Sequence, residues 1–193
     1  MMSDQIILLD KNMSMCKAWD EEFGRTDKKI SVVNSDFGAF IEQNEDVDGI
    51  VSPANSFGIM DGGYDAAITA VFGQGLMNKV QDRIFTEFGG IQPVGSALSV
   101  PIDDKRYLIH VPTMMYPGPI LDIRVIYQSM RSTLCAADKL NIKKIVIPAF
   151  GRLTGRVDDR IVAKMMRLGY EHSAHVPKRP DWEYVTELAR QIV

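Results

Sequence analysis

Two cysteines and three histidines are scattered through 193 residues, too few and too far apart for a zinc site or a disulfide framework. Cys16 and Cys135 fall in helix-like contexts and read as small buried or half-buried residues. His172 and His175 stand three apart with no further histidine or cysteine near them, so a surface pair is expected and no metal. Basic surplus is also missing. Lys and Arg total 22 against 25 Asp and Glu, a formal net charge of −3, which leaves no reserve for neutralising a phosphate backbone. No specific nucleic-acid partner is expected. Nor is there a long apolar run. Residues 6–9 are too few for a signal h-region and lack basic flanks, and nothing approaches the roughly 20 residues of a membrane span. No membrane partner and a cytoplasmic, reducing setting are the expectation. Familiar nucleotide and hydrolase fingerprints fail as well. GxxxxGK[ST] and GxSxG are absent; Gly73-Gln74-Gly75 starts like a dinucleotide loop, but Asn78 takes the third glycine position and no strand precedes it.

What the chain does have is alternation. Apolar runs at 5–9, 29–33, 47–52, 96–100, 106–111 and 144–147 read as strands. Helix-period segments at 13–23, 36–41, 64–72, 76–88, 122–140, 158–170 and 182–192 lie between or after them, with Asn12 as one N-cap and Gly89-Gly90 as a C-cap. Strands spaced by helices predict an α/β fold, its sheet mostly parallel and covered on both faces; the 96–111 pair adds an antiparallel element. The acidic stretch 42–48 reads as a solvated loop.

Ligands in open α/β sheets bind beyond the carboxyl ends of strands. Three polar or glycine-bearing segments stand there: Asn34-Ser35-Asp36, the run 52–64, and the run 149–157, AFGRLTGRV. The run 47–73 passes from a strand through a Ser/Asn/Gly loop into a helix, an arrangement that holds an anion on unpaired N–H groups. Each residue also has a plainer role. Asn55 can simply hold a turn, and Asp65 suits a helix N-terminus without any ligand. Gly62 and Gly63 form either a tight turn or a phosphate approach, with the latter preferred, and Gly151 and Gly155 share that ambiguity. Phe150 is either core or a ribose platform. His110 reads as structural, and Met114 and Met115 as packing.

The segment SPANSFGIMDGGYDAAI resembles the signature loop of the macro domain. Asn55 matches the second asparagine of that motif, Gly62 and Gly63 its glycine cluster, and Asp65 falls where hydrolytic members carry an aspartate. PVGSALSVP and YLIHVP resemble the next two strands, and IVIPAFGRLTGR the second, phosphate-binding loop. Asp36 falls where the family places the aspartate that accepts from the adenine amino group. The likeness spans about residues 30–170 and is nearest to a variant branch with SPANSFG and MDGG, of bacterial and phage type.

The resemblance implies a three-layer α/β/α macro-domain fold with a mixed, mostly parallel central sheet. It implies one domain over 1–193, with a core at 30–170 and a C-terminal helix at 181–193. It further implies binding of ADP-ribose or an ADP-ribosylated substrate without a cofactor, and hydrolysis of an ester or glycosidic bond at the distal ribose by Asn55 and Asp65. The implied ligand-binding residues are Asp36, Ser52, Ala54, Gly62, Gly63, Tyr64, Phe150, Gly151, Arg152, Leu153, Thr154 and Gly155. The alternative is a non-catalytic module that reads or sequesters ADP-ribose or a related nucleotide, and a third reading is an interaction domain that keeps only the fold. Four departures from the pattern bear on the choice: Ser52 for asparagine, Asp61 for glycine, Tyr64 for a small aliphatic, and Arg152-Leu153 for small residues. Arg152 or Arg156 is expected to offset Asp61.

Overall fold

The computed structural model describes residues 3–24 and 27–192. Met1, Met2, Arg25, Thr26 and Val193 lie outside it, and with them the outer limits of the 1–193 and 181–193 expectations. The chain alternates strand and helix from its start: β1 (Gln5–Asp10), α1 (Met13–Phe23), β2 (Ile30–Asn34), α2 (Phe37–Glu42) and β3 (Gly49–Ser52). Two helices follow, α3 (Gly63–Phe72) and α4 (Gly75–Phe88), then the strands β4 (Leu98–Pro101) and β5 (Tyr107–His110). The remainder is α5 (Arg124–Lys139), β6 (Lys144–Pro148), α6 (Asp159–Ala174) and α7 (Trp182–Gln191).

All six strands join one sheet in the order β2-β1-β6-β3-β5-β4. Every pairing is parallel except β4 with β5, the expected antiparallel element. Side chains alternate across the sheet as the period of two demands. Ile6, Leu8, Val51, Ile109, Ile145 and Ile147 face a layer built from α1, α5 and α6. Ile7, Leu9, Ile50, Leu108 and Val146 face a second layer of α2, α3 and α4. Both sides are covered, so the strands read as continuous apolar runs rather than half-polar ones.

Local chemistry sets the element ends. The Asn12 side chain accepts from the Ser14 N–H at 2.8 Å, and the Asp36 carboxylate caps α2 by accepting from Ala39 N–H at 3.0 Å. Gly89 closes α4 in the left-handed conformation. β3 begins two residues later than the apolar pattern predicts. The Val47 N–H turns back to the Asn44 carbonyl, and the Asp48 carboxylate accepts from the N–H groups of Lys143 (2.9 Å) and Lys144 (2.8 Å). Asp48 is therefore a clamp between β3 and β6, the two strands that bracket the site, rather than part of a solvated loop.

Two smaller expectations change, and the terminal helix is loosely held. Cys135 is exposed, whereas Cys16 is buried. His172 is no idle surface residue: its ring bonds the Tyr127 hydroxyl at 3.1 Å and the Gln191 side chain at 2.9 Å, joining α5, α6 and α7. α7 docks only lightly. It has no buried residue, and Leu188 with the following Ile192 provides its apolar contact to the core.

Candidate ligand cleft

β6 and β3 are neighbours, yet the helices that follow them go to opposite faces of the sheet. That divergence opens a crevice at their carboxyl ends, the place where α/β sheets bind ligands. A cleft of about 260 Å³ lies there. One wall is the loop from Pro53 to Asp65, and the other runs from Pro148 to Gly155. Thr113, Met114 and Pro117 border it at one end and Asp10 at the other.

The first wall ends in α3. Its N-cap is Gly62, with no side chain to satisfy the first-turn N–H groups, so these remain available to a ligand. Gly62 is in extended backbone (φ −136°), and a Cβ built there would meet nothing within 4 Å. The fold itself has no need of glycine at that position. Gly63, by contrast, sits at φ +56° in open space, where a side chain would be strained.

Asn55 holds this wall in shape. Its amide donates to the Ile59 carbonyl at 2.7 Å, and its oxygen accepts from the N–H groups of Phe57 (3.1 Å) and Ile59 (3.3 Å). One amide hydrogen is left over. Behind the wall, the Ser52 hydroxyl donates to Asp65 Oδ1 at 2.7 Å. Asp65 is only 7% exposed. Burial pushes its carboxyl up to about 7, against the Ser52 hydrogen bond, and the nearby Asp61 charge pushes the same way as burial. Asp65 thus titrates near neutrality while lining the cleft.

The second wall is tighter. Gly151 is left-handed (φ +74°), and a Cβ there would come within 2.5 Å of Ile120. A Cβ on Gly155 would lie 2.3 Å from the Gly151 carbonyl oxygen. Arg152 reaches back to α6, its Nε donating to Asp159 Oδ1 at 2.7 Å. The other oxygen of Asp159 accepts from the Ser14 hydroxyl of α1. Leu153 stands exposed at the rim.

Of the residues expected from sequence, Ala54, Asn55, Gly62, Gly63, Tyr64, Asp65, Gly151, Arg152, Leu153, Thr154 and Gly155 line this cleft. Three do not. Ser52 is wholly buried and touches the lining only through its hydrogen bond to Asp65. Phe150 is wholly buried in the α5–α6 core. Asp36 caps α2 beyond edge strand β2, and the carboxylate that lines the cleft instead is Asp10, at the end of β1 next to β6. Burial raises the Asp10 carboxyl above its ordinary range, against the Asn12 N–H that donates to it and the charge of Arg152. The strand-end rule points to Asp10 as well as to Asp36, since each stands at the end of an apolar run.

Tyr64 packs its ring edge-on to Phe37 with centroids 5.2 Å apart. Its hydroxyl is buried without a hydrogen-bond partner, and burial, with the charges of Asp10 and Asp65, raises its ionisation well above the ordinary tyrosine value. Thr113, missed in the sequence, lines the cleft with a second buried and unpartnered hydroxyl. Arg156 and His110 do not line it. Burial lowers His110 to about 3, so the ring is neutral, with Nδ1 2.7 Å from Gln92 Oε1. Among the described residues no three His, Cys, Asp or Glu side chains gather as a metal-ligand set.

Comparison with known proteins is consistent in one direction. The family model for the Macro domain matches residues 51–166. An uncharacterised protein of Aquifex aeolicus is 33% identical over 123 residues, covering 63% of this chain and 71% of that protein. The macrodomain of Mycobacterium tuberculosis DarG superposes with a TM-score of 0.55 at 18% identity, covering 66% of this chain and 83% of its own. The Oceanobacillus iheyensis macrodomain solved with ADP gives 0.58 at 16% identity, covering 75% and 82%, and a mutant of it is solved with ADPR.

Proposed function

This chain belongs to the macro domain family, and on that premise we propose that its cleft binds ADP-ribose. The observation that carries the reading is Gly62. It is a glycine that the backbone conformation and neighbours do not require, placed at the uncapped N-terminus of α3 on the cleft wall. A diphosphate lying close against that backbone explains both the missing side chain and the unmet donors. The Oceanobacillus structures with ADP and ADPR support the same assignment.

The aromatic base takes the end beside Asp10 and Tyr64, where Phe37 packs against the tyrosine ring. The diphosphate crosses between Gly62-Gly63 and the 151–155 loop, with Arg152 as the cation on that side. The distal ribose lies at the other end, beside Asn55, Asp65 and Thr113. The sheet and its two helix layers act as one domain in a cytoplasmic setting; no described helix is long and apolar enough to cross a membrane.

Asp65 supports hydrolysis at the distal ribose. Its carboxylate accepts a proton from a water that attacks C1″. The bond from C1″ to the leaving group breaks, and that group departs with the proton that Asp65 took from the water. General-base assistance of this kind contributes about 10²–10⁴ in rate. Asn55 acts by holding the loop, with its free amide hydrogen towards the ribose. The engagement of Asn55 by its own loop and of Asp65 by Ser52 favours a second reading, a module that binds without turnover.

Calorimetric titration with ADP-ribose, AMP and NAD tests the assignment. Micromolar binding of ADP-ribose well ahead of AMP is expected. Absence of binding by all three would overturn it, and single-turnover release of ADP-ribose from a modified peptide separates the hydrolase from the reader.

A further inference from the structure

The charge of the cleft does not suit a free dianionic ligand. Three carboxylates line it, those of Asp10, Asp61 and Asp65, and Arg152 is the one cation among the lining residues. That arginine is already paired to Asp159. Asp61 is the sharpest case. It immediately precedes Gly62 on the wall assigned to the diphosphate, it is exposed, and among the described residues no hydrogen bond or ion pair engages it. A diphosphate alone would be repelled there. Buried groups at that end also wait for a partner. The Thr113 hydroxyl is 2% exposed and unpartnered, and its backbone N–H bonds the Ala54 carbonyl at 2.9 Å, which places it beside Asn55.

We propose that Asp61 makes this cleft selective for ADP-ribose carrying a cationic group on C1″ of the distal ribose. A guanidinium of a modified arginine and the pyridinium of NAD share that chemistry. The inference rests on the ADP-ribose reading above and specifies its substrate class. Asp61 lines the cleft in the loop that also supplies Asn55 and Ile59, the stretch of wall assigned above to the distal ribose. A cation on C1″ turns the repulsion into attraction and leaves the bound complex nearer to neutral. A neutral serine or a free hydroxyl at C1″ offers Asp61 no such compensation.

The test compares four ligands by calorimetry at low and high salt: ADP-ribose, ADP-ribosyl-arginine, NAD and an ADP-ribosylserine peptide. The wild-type chain binds at least one cationic ligand about fivefold or more tightly than ADP-ribose and the serine conjugate, and the advantage shrinks as salt rises. Preference for ADP-ribosyl-arginine assigns the cation to modified protein, and preference for NAD to the dinucleotide. Asp61→Asn, on an exposed loop, tightens ADP-ribose binding two- to fivefold and weakens the cationic ligand by at least fivefold. Asp104→Asn, which removes an equal charge from the β4–β5 turn, changes neither. Where a conjugate is cleaved during titration, initial kcat/KM is read with the same signs. Equal shifts for all ligands, or none, in Asp61→Asn would overturn the selectivity while leaving ADP-ribose binding intact. Failure of every ligand to bind would instead overturn the reading of the cleft, and this inference with it.

Discussion

The two glycine-bearing walls of the cleft use the same residue for opposite reasons. On the β6–α6 side, Gly155 and Gly151 are glycines because the protein fills the space around them: a Cβ would meet a carbonyl oxygen in one case and Ile120 in the other. On the β3–α3 side, a Cβ added to Gly62 would meet nothing within 4 Å. One wall is shaped by its own packing and pinned by Arg152 to Asp159; the other leaves room beside its backbone. The lesson is that a glycine motif carries functional information only where the fold does not already account for it.

The largest effect that separates the walls is on stability. Gly155→Ala forces the Gly151 carbonyl aside and is expected to cost about 3 kcal/mol, read as a lowered midpoint in urea. A stability within about 0.5 kcal/mol of wild type would mean that this wall, too, has room, and the contrast would be lost. Gly62→Val is the converse. Its extended backbone accepts valine, so stability should hold, while ADP-ribose affinity falls about 100-fold, on the order of 2.7 kcal/mol. Unchanged affinity would remove the diphosphate from that wall.

The pH dependence gives a smaller and sharper measure. Asp65 holds its proton up to about pH 7 in the native state, whereas an ordinary aspartate loses it at about pH 3.9. The native chain therefore binds this proton more tightly than the unfolded chain, and the associated stability, complete at low pH, is lost as pH rises through 7. Between pH 5 and 8 the wild type should lose about 2 kcal/mol relative to Asp65→Asn, measured by urea unfolding at both values. A constant difference would mean an ordinary carboxylate. If the chain is a hydrolase, Ser52→Ala removes the hydrogen bond that lowers the Asp65 pKa and moves the inflection of its pH–rate profile upwards.

Much of this architecture was legible in the chain. The β6 run 144–147, the Asn12 cap and the Gly89 stop are local signals, and they mark real boundaries because capping and alternation act within a few residues. The β3 start was misread because Asp48 is drawn to Lys143 and Lys144, nearly a hundred residues away in sequence. Asp36, expected beside the adenine, stands apart from the cleft for a related reason. Asp36 and Asp10 both follow apolar strands, and only the order β2-β1-β6-β3 puts Asp10 against the cleft and Asp36 beyond it. Phe150, equally suited to core or ribose, was decided by the packing of α5 and α6.

The sequence by itself determined the α/β class, the two loops that face one another, and the family to which they belong, since each follows from periodicity or from a contiguous motif. Tertiary structure alone decided which carboxylate enters the cleft and which glycines are free of the fold. It also decided that Asp65, buried beside Ser52, holds its proton close to neutrality. Those properties depend on what lies across space from a residue, and desolvation and steric room have no signature in the order of the chain.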